Sequence, residues 1–462
     1  MNHLSSETFG ENAKAALADV QLRGALRHAT SLFGKRRLEA ARGLDNWEEL
    51  RTQARAIKDE VLLHLDRYLE TFAANAEKRG AVVHWAVDAT EANAIICKLA
   101  RDRSARTIVK SKSMTTEETH LNDALEAAGL QVVETDLGEY IIQLAHETPS
   151  HIIAPAIHKT KGQIAELFTS KLGMLPTDDI AQLTSTARAT LRDRFAAADM
   201  GISGVNFGIT ETGTIVIVEN EGNIRLTTSL PRIHVAVMGI EKVIPRFADL
   251  DLFLKLLPRS GTGQRLTTYQ SFITGTKRDA REEGPDELHI VILDNGRSRM
   301  LAHPVTRQSL ACIRCGACLN ACPVYQQIGG HAYGSVYPGP IGAVITPQLI
   351  GFEKTAQLPY ASSLCGACRE VCPVKIDIPQ LLLHLRSEIT ASGSKGNAAE
   401  RIAFKIWARV MMSPTLYNLG SLAARVIQKV MPLSRAWKRG RDLRPVEQPS
   451  FRSLWKTKLS HE

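Results

Sequence analysis

The sequence predicts an α/β body built on a mainly parallel sheet with flanking helices, followed by a small α-helical cysteine module and a basic helical tail. Three observations carry that prediction. Strand-like and helix-like segments alternate from about residue 80 to 160, the rhythm of parallel strands joined by crossover helices. Seven of the eight cysteines fall in two short runs between 312 and 372. Residues 391–462 hold 14 Lys/Arg against 4 Asp/Glu, whereas the first 390 residues hold 43 against 44, so the whole formal charge of +9 belongs to the tail. A neutral body argues against nucleic-acid binding as the reason for that charge. The expected organisation is a helical region over 1–79, the α/β domain over 80–298, the cysteine module over 299–390 and the tail over 391–462.

Each element follows from a local pattern. From 46 to 79, Leu62, Leu63, Leu65, Tyr68, Leu69 and Phe72 recur near helical spacing. Residues 81–87 read as a strand, and Asp88-x-x-Glu91 as a capping box opening a helix to about 102. Residues 107–110 form a second strand, and Thr115-x-x-Glu118 opens a helix that Gly129 closes. Residues 130–134 read as a third strand and Ile152, Ile153 and Ala154 as a fourth. The stretch from Gly204 to Val218 mixes turn residues with β-branched runs, and 234–238 and 289–293 look like buried strands. Between the cysteine runs the chain is rich in Gly and Pro, which predicts mostly loop with one short helix.

The cysteine runs read Cys312-x2-Cys315-x2-Cys318-x3-Cys322-Pro323 and Cys365-x2-Cys368-x3-Cys372-Pro373. Thiolates every third residue wrap three corners of a cubane, and the x3 step sends the last cysteine to the other cluster, as in two-cluster bacterial ferredoxins. This assigns Cys312, Cys315, Cys318 and Cys372 to one [4Fe–4S] cluster. It assigns Cys322, Cys365 and Cys368 to another, with Ser362 at the vacant eighth position, so that the second centre holds four irons or three. Pro323 and Pro373 stop any helix there, and Gly316 and Gly366 let backbone N–H groups approach the sulfurs. Zinc usually takes two well-separated ligand pairs, which fits poorly. The order of spacings is the reverse of the radical Cys-x3-Cys-x2-Cys motif. Disulfides need an oxidising compartment, and residues 1–7 show no secretory pattern, which points to a cytoplasmic protein. The lone Cys97 lies in an apolar stretch and reads as core.

Four segments carry a resemblance: 110–115 (Lys110, Lys112, Ser113), 134–139, 149–158 and 208–214. Together they resemble the lactate-utilisation (LUD) domain, and with the ferredoxin-like module behind them the chain resembles the lactate utilisation protein B family over nearly its whole length. The resemblance implies a sugar-isomerase and CoA-transferase type of α/β fold. It implies a cytoplasmic iron–sulfur subunit that carries electrons in the oxidation of L-lactate to pyruvate, working with two partner proteins, and two [4Fe–4S] clusters on the seven motif cysteines.

A ligand pocket is expected where Lys110, Lys112 and Ser113 end a strand, together with Thr210, Glu211, Thr212 and Gly213 in a later turn. Ligands bind at strand C-termini in open parallel sheets, and lysines with free amides suit a phosphate or carboxylate. A capped turn with solvated lysines is the plainer alternative. His151 and His158 are separated by a strand-like segment and a proline, which disfavours a metal pair. Gly261 and Gly263 are too few for a dinucleotide fingerprint. In the tail, Arg401, Lys405 and Arg409 form a basic stripe among Ile402, Phe404, Ile406, Trp407, Val410 and Met411, and Arg425 and Lys429 repeat the step. Trp407, Trp437 and Trp455 add aromatic weight. Such helices fit packing on their own protein, docking to an acidic partner, or peripheral contact with the inner membrane face. Three functions remain: an electron relay, a LUD pocket that itself binds or oxidises a hydroxy acid, and an iron–sulfur dehydratase.

Overall fold

The computed structural model describes residues 5–279, 281–392, 398–430, 449 and 451–459. Residues Met1–Ala391 form one compact unit and Ser392–Glu462 a second. In chain order the strands are β1 (Ala81–Ala86), β2 (Thr107–Lys110), β3 (Gln131–Glu134), β4 (Met200–Gly204), β5 (Phe207–Ile209), β6 (Thr214–Glu219), β7 (Ile233–Gly239), β8 (Val243–Ile244), β9 (Tyr269–Ile273) and β10 (Glu287–Leu293).

Six of them form a sheet in the order β1-β10-β7-β4-β2-β3, and every neighbouring pair is parallel. The pleat sends alternate residues to opposite faces. Val235, Val237, Val291 and Leu293 pack with Ile96, Ala100, Leu121 and Leu125 on one face. Ala236, Met238, Ile290 and Ile292 pack with Leu69, Phe72 and Ala76 on the other. Both faces are covered, so all of β7 is buried. A smaller sheet has the order β8-β5-β6-β9, with β6 antiparallel to both neighbours.

Helix entry follows local chemistry. Asp88 accepts the Glu91 N–H at 2.9 Å and opens Ala89–Asp102. Glu91 answers through the Val87 N–H rather than that of the cap residue. The helix after β2 starts one turn-residue pair earlier than the Thr115 pattern suggests. Ser113 caps it by accepting the Thr116 N–H, and Thr115 lies inside Met114–Glu118. His120, at φ 52°, then breaks the chain into a second helix, Leu121–Ala127.

Two expectations need correcting. Residues 152–154 are not a strand: the Ile153 and Ala154 N–H groups both donate to His151 Nδ1, so they are spent on a side chain instead of a ladder. The fourth strand of the parallel sheet along the chain is β4. The segment between the cysteine runs is also more helical than its Gly and Pro content suggests. Pro340 sits in the first turn of Gly339–Ile350, where a missing N–H costs nothing, and nine residues of that helix are buried. The N-terminal helices Val20–Arg42 and Trp47–Leu63 share one core with the cysteine module, where Leu26, Trp47 and Ala54 join Leu319, Tyr325 and Leu385.

In the second unit, helices Ala398–Met412 and Pro414–Val430 carry exposed Ile402, Phe404, Ile406, Trp407, Leu419 and Leu422. Trp455 opens a short π-helical turn. Trp437 and the side chains of Arg425 and Lys429 lie outside the described residues. Among the described residues no helix is long and apolar enough to cross a membrane.

Candidate iron–sulfur module and adjoining cavity

The two cysteine runs are one structural motif used twice. Cys315, Cys318, Cys322 and Pro323 each have a counterpart 50 residues on, in Cys365, Cys368, Cys372 and Pro373. The backbone repeats as well. Arg314 and Leu364 have φ of 61° and 55°, and Gly316 and Gly366 have 74° and 86°. A short helix follows each, Ala317–Ala321 and Ala367–Glu370, and the two pack together. Two left-handed residues flanking a cysteine turn successive N–H groups inward, a concavity that suits an anionic sulfide cluster. At Arg314 and Leu364 that conformation carries strain, which a bound group would have to justify.

All eight cysteines are free. Burial raises the Cys318 thiol well above its ordinary pKa, and Cys312, Cys315 and Cys372 reinforce it. Burial likewise raises Cys315, again with Cys312 and Cys372 as neighbours. Cys372 is pushed up to about 11 by burial and Cys312, against N–H donation from Ile376. These four, with Ile341, Val374 and Ile376, line a cavity. Cys368 is raised to about 12 by burial and then by Cys322 and Cys365. Cys322, raised by burial, answers to Cys365. Cys365 is exposed and lowered, by the Ala367 N–H and the Ser363 hydroxyl. Cys368 also acts on Cys318.

Buried thiols crowded together are costly to ionise unless a cationic group takes the protons' place. The donor set therefore fits iron. Backbone N–H groups stand ready as well: Arg314 donates to Cys312 Sγ at 3.4 Å and Ile376 to Cys372 Sγ at 3.3 Å. Such donors stabilise anionic sulfur and tune its reduction potential.

The module is clamped from both sides. Arg51, from Trp47–Leu63, donates to the Cys372 carbonyl at 2.8 Å and to the Glu370 carbonyl at 2.8 Å. His151 is fully buried, and its Nδ1 accepts two N–H groups, which leaves Nε2–H to donate to Asn320 Oδ1 at 3.1 Å. Burial holds this imidazole neutral, with its pKa lowered to about 3. His158 is apart from it, 2.6 Å from Glu147 Oε2 and edge-to-face with His331.

A cavity of about 260 Å³ lies at the C-terminal ends of the parallel strands and reaches the first cysteine set through Cys315. It answers only part of the expected pocket. Lys112 and Ser113 line it. Lys110 does not: it is buried against Glu134 at 2.8 Å and Glu117 at 3.0 Å. Burial alone would lower its pKa, but these carboxylates raise it, so the lysine is committed to the sheet. Thr210, Glu211, Thr212 and Gly213 are also elsewhere. They form the β5–β6 turn, pinned by Asn75 Nδ2 on the Thr210 carbonyl and by the Phe247 N–H on Glu211 Oε2. A Cβ on Gly213 would stand 2.2 Å from the Ala76 N, so that glycine serves close packing.

Residues not singled out in the sequence complete the cavity: Asp136, Glu221, Lys242, Arg314 and Tyr337. Arg314 lies between Cys312 and Cys315, stacks over Tyr337 at 4.9 Å, and has its Nη1 buried with no partner. Its Nη2 reaches Glu241 at 3.4 Å. Glu241 also takes Arg297 Nε at 2.7 Å, and Arg297 forks onto both Glu118 oxygens at 2.8 Å. Burial would raise Glu241, yet Arg297 and Arg314 hold it at about 2. Burial lowers Lys242 to about 8 against the pull of Glu241. A charged residue inside a cysteine loop was the one available sequence signal for Arg314.

Comparison with known proteins agrees with this geometry. The LUD domain family model matches residues 69–293, the 4Fe-4S dicluster domain residues 308–376, and the lactate utilisation protein B C-terminal region residues 384–460. Lactate utilization protein B of Bacillus subtilis is 46% identical over 419 residues, covering 90% of this chain and 87% of the relative. The protein of that name from Bacillus licheniformis is 45% identical over 92% of this chain and 89% of its own length. This chain belongs to the lactate utilisation protein B family. A third member, from a Geobacillus species, is 47% identical over 91% of this chain and 89% of its own. The α/β body is thus a LUD domain and the cysteine module an iron–sulfur region. Arg314 and Tyr337, which face the LUD cavity, both belong to the stretch matched as the dicluster domain.

Proposed function

We propose that this chain is a cytoplasmic iron–sulfur subunit that relays electrons in the oxidation of L-lactate to pyruvate, together with two partner subunits. Cys312, Cys315, Cys318 and Cys372 would hold one [4Fe–4S] cluster, and Cys322, Cys365 and Cys368 would anchor the second. When bound, such clusters accept and release one electron at a time. The observation that carries the reading is that Cys312, Cys315, Cys318 and Cys372 line one cavity while the Cys315–Cys322 loop recurs, with the same left-handed residues, at Cys365–Cys372. Family membership supplies lactate as the metabolic context. The chain's own residues give the relay a direction. The first set lies largely buried among apolar side chains beside the cavity, with Cys312 partly buried, and the second comes to the surface at Cys365. Arg51 and His151 fix the loops, so little reorganisation accompanies a change of charge.

One observation favours a second reading, in which the LUD cavity binds the carboxylate of a small hydroxy acid. An unpartnered, buried guanidinium nitrogen at Arg314 Nη1 is expensive, and a carboxylate would satisfy it. Lys112 and Lys242 line the same space. Anaerobic mixing of the loaded protein with L-lactate separates the readings. Bleaching of the visible absorbance only when the partners are present supports the relay. Bleaching by lactate alone, abolished in Arg314→Gln, supports the cavity. Bleaching in neither case would overturn both.

A further inference from the structure

The repeat leaves one place where the two halves differ in chemistry but not in geometry. The counterpart of Cys312, 50 residues on, is Ser362. Cys312 Sγ accepts the Arg314 N–H at 3.4 Å, and Ser362 Oγ accepts the Leu364 N–H at 3.1 Å. The difference is what an oxygen in place of a larger sulfur requires. In both halves the donor residue is left-handed, the next residue is a set cysteine, and the following glycine is left-handed as well. The serine oxygen therefore occupies the position a thiolate holds in the first half.

The segment is also held in place. Arg386, from Ile378–Ser392, donates to the Pro359 carbonyl at 2.9 Å and the Ser362 carbonyl at 3.3 Å, and stacks over Tyr360. The Ser362 N–H is tied to the Tyr360 carbonyl at 2.8 Å. A serine that merely capped a turn would have no need of a guanidinium fixing its own carbonyl. The neighbouring Ser363 does something else, since its hydroxyl hydrogen-bonds the Cys365 sulfur.

We propose that Ser362 Oγ is the eighth ligand, completing the second cluster as a four-iron centre with three thiolates and one serine oxygen. The bond forms between the oxygen and the iron that the three thiolates leave open, and the hydroxyl proton goes to water at the exposed edge. Serine oxygen is a harder, more strongly donating ligand than thiolate, so it stabilises the oxidised cluster and lowers its reduction potential. The second cluster is thereby made a low-potential site at the protein surface. It has no open iron for a hydroxy acid, which removes the dehydratase reading.

This inference rests on the two-cluster reading, and its test tells the two apart. The full chain is purified anaerobically as wild type, Ser362→Cys, Ser362→Ala and Ser363→Ala. Iron and sulfide are counted, EPR is recorded before and after dithionite, and the midpoint potentials are titrated. Wild type should hold about eight irons, two four-iron clusters' worth. Ser362→Cys should keep that count with one midpoint moved upward and the other unmoved. Ser362→Ala should lose one iron and gain the signal of an oxidised three-iron cluster, while Ser363→Ala keeps the full count. A three-iron signal already present in wild type, or a Ser362→Ala protein with unchanged iron and unchanged midpoints, overturns the serine ligand and leaves the two-cluster reading standing. Absence of iron in every variant overturns that reading instead. Ser362→Cys also controls for folding, because it restores the residue type of the first half.

Discussion

Arg297→Met removes the hub of the buried ion network that joins the parallel sheet to the cysteine module. Arg297 is 1% exposed, as is Glu241, and Glu118 is 6% exposed at its side chain. The guanidinium makes four hydrogen bonds, to Glu241 at 2.7 Å, to both Glu118 oxygens at 2.8 Å and to the Asp294 carbonyl at 3.0 Å. Breaking a buried pair by removing one partner costs about 3–5 kcal/mol, because the other charge is left uncompensated. At roughly 2.1 cal/mol/K per residue, a unit the size of Met1–Ala391 unfolds with about 0.8 kcal/mol/K, so Tm should fall by about 5 °C. The loss should depend on pH. In wild type, burial raises Glu118 but Arg297 lowers it further, below the ordinary carboxylate value, and Glu241 is held at about 2. Their stabilisation is present above the ordinary carboxylate range and fades only as pH falls through the lowered values. In the variant, burial of Glu118 is opposed by hydrogen bonds from Asn295 and Tyr337 without the guanidinium, so this carboxyl rises, while Glu241 keeps Arg314 and Lys242 and rises less. The contribution of Glu118 above all is lost as pH rises through its raised value. The deficit should therefore be largest near neutrality and shrink toward pH 5. Differential scanning calorimetry at pH 7 and pH 5 checks this. A change below about 1 kcal/mol at both values would refute the network as a structural hub.

Further outcomes follow from individual contacts. His234 is fully buried with Ser203 Oγ at 2.7 Å, and burial lowers its pKa from 6.5 to about 3. The unfolded chain takes up that proton first, so stability is complete above 6.5 and falls as pH drops toward 3. The loss by pH 5 is about 2 kcal/mol, and urea midpoints of His234→Gln should show a shallower acid slope by that amount. Arg51→Met removes a charged donor from the carbonyls of Glu370 and Cys372, a hydrogen bond to a charged group being worth about 1.5–3 kcal/mol, although the Cys372 carbonyl keeps the Lys375 N–H. Its iron should pass to a chelator faster than in wild type, and an unchanged rate would deny Arg51 a role in holding the second cysteine run.

The fold was legible where periodicity and local chemistry agreed. β1, β2, β3, β7 and β10 stand where apolar runs placed them, since buried parallel strands need continuous hydrophobic residues. The iron–sulfur character of the cysteine module was legible because ligand spacing is itself a geometric constraint. Other features were hidden by side-chain contacts that periodicity does not encode. Residues 152–154 look like a strand until His151 takes their N–H groups. Lys110 looks like a free strand-end cation until Glu134 and Glu117 close on it. The Thr210–Gly213 turn looks like a binding loop, yet it exists to pack on the helix Leu65–Glu77. Arg314 and Tyr337 reach the cavity only because the module folds against the strand ends, which no local pattern encodes. The counterpart relation of Cys312 and Ser362 was visible as a spacing, but its hydrogen bond was not.

The most direct test of the two-cluster relay is a potentiometric titration of the anaerobically purified chain, with iron and sulfide counted on the same sample. Two reversible one-electron steps on a protein with about eight irons are the predicted result. A single step, or zinc in place of iron, would contradict it.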